Sequence, residues 1–271
     1  MIRGLSAEAL EELIRTENEK DYLVVDVRQA EEYRLDHIPG SVNVPLADIQ
    51  FDPYMFETGR KLIFCCTRGV RSKVAAIFVA DAGHAEENLY HLRDGLYEYP
   101  GEILLDMPRV DRFPRNAGPH AILETAVNFE KGAFRFYQLA KEQLTGTDLL
   151  AVIEKMSGDE IGHARSIFNE MQKIRASETD FKTYFDRCTG DILEGGKYFE
   201  EIEAVIRDPD SNTCMDILDF AVELEYSAYD LYKAMAENFE MPEIKAMFLR
   251  LSQAEKKHLD QLIPALDLCT E

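Results

Sequence analysis

No run of apolar residues in this 271-residue chain reaches membrane-spanning length, so a spanning helix is excluded. Basic residues are scarce: 30 Lys and Arg stand against 51 Asp and Glu, a formal net charge of −21. That deficit disfavours nucleic acid and anionic membranes as partners. It is uneven, with 14 basic and 21 acidic residues up to position 115 and 16 and 30 beyond it. The acidic second half suits a module that attracts cations, although a merely soluble acidic surface is the plainer account. Met1 to Ile14 reads as an amphipathic helix rather than a secretory signal. Cysteine is sparse. Five residues at irregular spacing point to a reducing cytoplasm rather than a disulfide framework. Cys188, Cys214 and Cys269 have no partner spacing and read as structural.

What the chain does hold is 46% apolar residues, enough for two domains with cores. It also holds one stretch twice. Ala126, Glu130 and Tyr137 recur 95 positions later as Ala221, Glu225 and Tyr232, and the same offset carries Glu160 onto Glu255 and His163 onto His258. Four polar positions repeating within an apolar frame mark an internal repeat. Seven residues are close to two helical turns, so each lone glutamate shares a face with its tyrosine. Three residues are close to one turn, so each Glu-x-x-His pair shares a face as well.

The segments around these residues predict four long helices. The first starts near Pro119 and fades by Gly146, and the second runs from Thr147, a good N-cap, to about Arg175. The third begins at Asn212 or Thr213 and ends near Asn238; the fourth is opened by Pro242 and closed by Pro264. Between the second and third lie nearly forty residues, too long for a bare loop, with short helices expected around Phe181–Tyr184 and Tyr198–Ile206. Glu130, Glu160, Glu225 and Glu255 fall near the midpoints of the long helices, so antiparallel packing brings them to one level. A helical Glu is ordinarily a solvated surface residue. These lie among core-type neighbours such as Phe129, Ala133, Leu224 and Ala228, and a buried carboxylate must be paired or bound to metal. Two lone glutamates and two inward Glu-x-x-His pairs form the ligand pattern of a di-iron carboxylate bundle.

From about residue 119 to 266 the chain resembles the ferritin-like superfamily, and within it the rubrerythrin and erythrin group. The resemblance implies a four-helix bundle with Glu130, Glu160, His163, Glu225, Glu255 and His258 as ligands of two iron ions, with manganese or zinc as possible substitutes. It assigns Tyr137 and Tyr232 to the tyrosines that back those ligands. Two features differ. Rubrerythrins usually carry another carboxylate one turn after the third-helix glutamate, where this chain has Ala228, matching Ala133 in the first repeat. They also usually carry a rubredoxin module with Cys-x-x-Cys knuckles, and no such pair exists here. An external electron donor such as a rubredoxin is therefore expected.

The first hundred residues read differently. An amphipathic helix over 5–19 precedes Tyr22–Asp26, a short apolar strand of the kind buried in a parallel sheet. A helix starts near Glu31, Lys61–Cys65 is a second buried strand, and a loop from Cys66 to Ser72 leads into a helix over Val74–Ala82. Asn88–Leu92 is the next strand. Strand, glycine-containing loop and helix in this order indicate an α/β domain. Such a loop gathers inward backbone N–H groups at a helix N-terminus, a cradle that stabilises a thiolate. Cys66 follows the strand and is the candidate nucleophile, whereas Cys65, still in the strand, reads as structural. Arg71, and Arg68 beside it, would add positive charge for an anionic substrate.

Asp26-x-Arg28, His37-Ile38-Pro39-Gly40, Cys66-x-x-Gly69-x-Arg71-Ser72 and Tyr90-His91-Leu92-x-x-Gly95 occur in the order found in single-domain rhodaneses. The resemblance covers about residues 4–105. It implies Cys66 as the persulfide-forming nucleophile, with Asp26, Arg28 and Arg71 shaping or charging its loop. The six-residue span from Cys66 to Arg71 is the length associated with sulfur transfer, one residue shorter than in related phosphatases. Asp94 and Tyr99 stand where a glycine and a tryptophan are common.

The expected organisation is a multidomain chain, α/β then all-α: a rhodanese-like sulfurtransferase domain at 1–105, a proline-rich linker at 106–118, and a rubrerythrin-like bundle at 119–271. Its expected work is sulfane-sulfur transfer at Cys66, from a small-molecule donor to a thiol acceptor, beside di-iron reduction of peroxide or dioxygen, in a cytoplasmic homodimer. An iron-handling or metal-sensing bundle fused to a persulfide carrier is the alternative.

Overall fold

The computed structural model describes residues 2–115, 117–207 and 214–270. These divide into two compact units, Met1–Met107 with Tyr232–Glu240, and Pro108–Leu231 with Met241–Glu271.

The first unit is built on five parallel strands: β1 (Arg3–Leu5), β2 (Tyr22–Asp26), β3 (Val42–Asn43), β4 (Lys61–Cys65) and β5 (Leu89–Leu92), in the order β1-β5-β4-β2-β3. Helices α1 (Ala7–Thr16), α2 (Ala30–Leu35), α3 (Leu46–Phe51) and α4 (Val70–Asp81) connect them. Alternation along the central strands divides the core. Leu23, Val25, Leu62 and Phe64 pack with Ile49, Ala75, Ala76 and Val79, while Tyr22, Val24, Ile63 and Cys65 pack with Ala7 and Leu10. Burial on both faces is why β2 and β4 read as continuous apolar runs. The register pairs Asp26 with Cys65 at the carboxyl ends of β2 and β4. In an open parallel sheet that is the edge where ligands bind. Lys233, fully buried in this unit, donates to Glu19 Oε2 at 2.9 Å and to the Glu19 and Tyr22 carbonyls at 2.6 and 3.2 Å. Such a buried charge is tolerated because its donors are satisfied.

The second unit contains α5 (Pro119–Gln143), α6 (Thr147–Ile174), α7 (Phe181–Arg187), α8 (Phe199–Ile206), most of α9 (Cys214–Asn238) and α10 (Pro242–Ala265). Proline opens α5 and α10, where a missing N–H leaves no helical bond unmade. Thr147 is the first residue of α6 rather than its cap; Gly146, at φ 97°, takes that position. The expected start of the third long helix at Asn212 or Thr213 lies outside the described residues. A core of Phe136, Leu139, Ile153, Met156, Ile202, Leu218 and Leu262 draws on α5, α6, α8, α9 and α10.

One cysteine expectation is overturned. Cys214 and Cys269 form a disulfide across 55 residues of sequence. Spacing along the chain conceals the pair because antiparallel helices return distant residues to one end. Cys65, Cys66 and Cys188 are free. No helix among the described residues is long and apolar enough to cross a membrane.

Candidate metal centre and candidate nucleophile loop

Each long helix contributes to one buried polar cluster. Glu130 comes from α5, Glu160 and His163 from α6, Glu225 from α9, and Glu255 and His258 from α10. All four glutamates are buried, and the His163 side chain keeps only 14% of its exposure. Ligand atoms of Glu160, His163, Glu255 and His258 all lie within 4.8 Å of one another. His163 Nδ1 is 3.4 Å from Glu130 Oε2, 3.4 Å from Glu160 Oε2 and 3.2 Å from Glu255 Oε1. His258 Nδ1 is 2.9 Å from both Glu225 Oε2 and Glu255 Oε2, and 3.7 Å from Glu160 Oε1. Glu160 and Glu255 thus face both imidazoles, whereas Glu130 and Glu225 each serve one side. The rings themselves stack with centroids 5.1 Å apart.

The electrostatics are those of a site built for cations. Burial pushes the Glu160 carboxyl well above the usual carboxylate range, with Glu255 adding to it. Burial likewise raises Glu225 to about 7, against the pull of His258. Glu255 goes the other way: burial opposes its charge, but the two histidines outweigh burial and lower it. Burial also disfavours charge on His163 and His258, yet the carboxylates around them raise both. Buried carboxylates and imidazoles this close together hold protons between them. Four carboxylates and two imidazoles are hard and borderline donors that suit iron, manganese or zinc. His163 Nδ1 is buried without a hydrogen bond, an arrangement that metal ligation satisfies. The residues present fit the metal pair.

The Tyr137 hydroxyl donates to Glu225 Oε1 from the opposite helix, which fixes that carboxylate's orientation. Tyr232 is fully buried. Two further acidic residues escaped the sequence reading. Asp159 Oδ2 lies 3.6 Å from His258 Nε2, an ionic distance that favours a proton on that nitrogen and leaves Nδ1 for the cluster. The 95-residue offset hides it, since position 254 is Ala. Glu194, between α7 and α8, is only 2% exposed. Its signal was the glycine pair that follows it, Gly195-Gly196, a mark of close backbone approach.

In the other unit, Cys66 opens the loop between β4 and α4 and is 1% exposed. Its Sγ accepts from the Ser72 N–H at 3.4 Å and lies 3.5 Å from Ser72 Oγ. The loop is clasped by its neighbour. Leu96 N donates to the Cys66 carbonyl at 2.9 Å and Tyr97 N to the Thr67 carbonyl at 3.3 Å. Gly69 (φ 78°) and Gly95 (φ 75°) permit this clasp: a Cβ on the first would sit 1.8 Å from Arg93 O, and on the second 2.3 Å from Thr67 O. Cys65 points to the opposite face of the sheet, and burial raises its thiol well above the ordinary range.

Arg71 is engaged already, by two 2.7 Å hydrogen bonds to Glu32 and one of 3.2 Å to Thr67 Oγ1. That pairing holds the Glu32 carboxyl down at about 2. Asp26 and Arg28 form a buried ion pair at 2.8 Å, and Arg28 also reaches Asp36 at 2.6 Å. Their bonds brace the end of β2. Of the sequence-assigned residues in this unit, the loop joins Cys66 and Arg71, while Asp26 and Arg28 stand beside it.

Comparison with known proteins gives two family matches. The family model described as Rubrerythrin matches residues 121–205 and 216–268, just over half of the chain, and the model described as Rhodanese-like domain matches residues 6–102. An HTH-type transcriptional regulator of Mycobacterium tuberculosis is 35% identical over 88 residues, 32% of this chain and 38% of the regulator. A thiosulfate:glutathione sulfurtransferase of Saccharomyces cerevisiae is 29% identical over 102 residues, covering 33% of this chain and 73% of that protein. Among solved structures, a rhodanese-related protein from Thermoplasma volcanium is 26% identical over 38% of this chain and 99% of its own, with a TM-score of 0.34. The match thus spans well under half of the regulator's length and about three quarters of the sulfurtransferase's.

Proposed function

We propose a function from the premise that this chain belongs to the rubrerythrin family and carries a rhodanese-like domain ahead of the family module: it joins a Cys66 sulfurtransferase to a di-iron oxidoreductase that reduces peroxide or dioxygen. The observation that carries the oxidoreductase reading is the cluster of Glu160, His163, Glu255 and His258 within 4.8 Å, flanked by Glu130 and Glu225. An iron pair held by these residues would supply the redox chemistry, with electrons from an external donor such as a rubredoxin. The chain's own residues do the rest. Glu160 and Glu255, each facing both histidines, would hold the pair together with Glu130, His163, Glu225 and His258. Tyr137 holds Glu225, and burial keeps bulk water from competing for the ligand atoms.

For sulfur transfer, the Cys66 thiolate attacks the sulfane sulfur of thiosulfate. The new S–S bond leaves Cys66 as a persulfide, and sulfite departs with the electron pair of the broken bond. An acceptor thiolate then attacks the outer sulfur, forming its own persulfide and returning the Cys66 thiolate, so no outside oxidant is needed. The Ser72 N–H is placed to stabilise the anionic sulfur in both steps.

The lack of any Cys-x-x-Cys knuckle favours a second reading, an iron-oxidising or metal-sensing bundle with the first domain as a persulfide carrier. A steady-state peroxidase assay with reduced rubredoxin separates the two. Donor oxidation that follows peroxide concentration and vanishes in Glu160→Ala supports peroxide reduction. Iron loading without turnover supports the second reading.

A further inference from the structure

We propose that Glu194, on the connection between α7 and α8, is a seventh protein ligand of the bundle's metal pair, entering from the Glu130 side. The inference rests on the di-metal reading above and extends it to a residue outside the repeat. Glu194 is 2% exposed, and its Oε2 has no hydrogen-bond partner. No cationic side chain is paired with it among the described residues. A buried carboxylate left in that state is costly unless it is neutral or holds a cation.

The backbone around it shows why it sits where it does. Leu193 N donates to the Lys197 carbonyl at 3.0 Å, and Gly196 N to the Leu193 carbonyl at 2.8 Å, closing a tight turn with Glu194 near its tip. Arg135 Nη1 donates to the carbonyls of Thr189 and Gly190 at 2.7 and 3.0 Å, tying the incoming strand of the turn to α5. Contact with α5 is so close that a Cβ on Gly132, two residues after Glu130, would lie 2.7 Å from the Ile192 carbonyl oxygen. On the other side, a Cβ on Gly195 would be 3.3 Å from Ser227, two residues after Glu225. The turn is therefore wedged against α5 and α9 beside the two lone glutamates. Ala133 and Ala228, one turn beyond those glutamates, add little side-chain bulk there. Burial raises the Glu194 carboxyl well above its ordinary range, and the carboxylates of Glu130, Glu160 and Glu255, three of the proposed ligands, add to it. Charge balance gives the residue a purpose. Four carboxylates neutralise two divalent ions, and a fifth favours the more highly charged oxidised pair.

The test is a Co(II) titration of the metal-free full-length chain, followed by absorbance and by elemental analysis after gel filtration. Wild type should take up about two cobalt ions per chain. Glu194→Gln keeps the size and removes the anionic ligand; one of the two ions should then bind about tenfold or more weakly, with a changed visible spectrum. Metal-free Glu194→Gln should unfold at or above the wild-type temperature, since it loses a buried acid whose Oε2 has no hydrogen-bond partner. Should it fail to fold, Glu194→Asp, one methylene shorter, is expected to show the same weakened binding. Two cobalt ions bound by the folded variant with wild-type affinity and spectrum would overturn the assignment of Glu194 alone. A wild-type chain that takes up no cobalt would overturn the di-metal reading, and this inference with it.

Discussion

Arg71 offers an anionic sulfur donor a guanidinium that Glu32 already occupies. Both side chains are about one third exposed, and a pair of that kind contributes only about 0.2–1 kcal/mol. Displacing Glu32 therefore carries a small cost. Glu32→Gln should lower the KM for thiosulfate by about two- to fivefold with little change in kcat, and an unchanged or higher KM would show that the donor does not use Arg71. The two adjacent cysteines separate by position alone. Cys66→Ser should abolish thiosulfate sulfurtransferase activity, whereas Cys65→Ser should retain most of it; an inactive Cys65→Ser with an active Cys66→Ser would reverse the assignment. Cys66 and the six cluster residues were legible because chemistry fixed their spacing, in a loop of set length and in helical turns. Glu32 was not, since its bond to Arg71 spans 39 residues that sequence spacing does not relate. Asp26 and Arg28 were found as a motif, but their ion pair is visible only in the fold.

Four helices that bury carboxylates at one level carry a cost that shows in the pH dependence of the metal-free protein. Burial lifts Glu225 to about 7 from an ordinary 4.5, so between those values the folded chain holds a proton that the unfolded chain releases. The stability from this group is fully present below about pH 4.5 and is lost as pH rises towards 7. Metal binding requires the carboxylate and runs the opposite way, weakening as pH falls through 7. The Tm of metal-free protein should fall between about pH 5 and 7, while the rise in Tm on adding metal grows. A metal-free Tm that climbs over that range would contradict the shared-proton account. At the ends of α9 and α10, the Cys214–Cys269 bridge closes a separation of 55 residues. The chain-entropy estimate for such a loop is about 4 kcal/mol at most. Cys214→Ser should lower the stability of the metal-free chain by up to that amount, measured by denaturant unfolding, and no change would show the bridge to be dispensable. The long helices were legible from period and proline placement. β1 and β3, three and two residues long, are too short to show a period. The turn bearing Glu194 owes its position to glycine contacts with α5 and α9 that no local pattern reveals.

Two chemistries on one chain need not depend on each other. Cys66→Ser should leave metal content unchanged, and Glu160→Ala should leave sulfurtransferase activity unchanged; loss of either activity in the other's variant would show that they are coupled. The order of an α/β unit and then a helical one was legible from composition and periodicity. The assignment of Tyr232–Glu240 to the first unit was not, because the sequence of α9 runs on without a break. The central claim is that the repeated Glu and Glu-x-x-His residues form one two-metal site. Elemental analysis of the natively purified full-length chain, beside Glu160→Ala and His258→Ala, tests it most directly. Wild type should hold about two iron ions per chain, with clear loss in both variants and the fold retained. Metal-free wild type, or iron content unchanged in both variants, would contradict it.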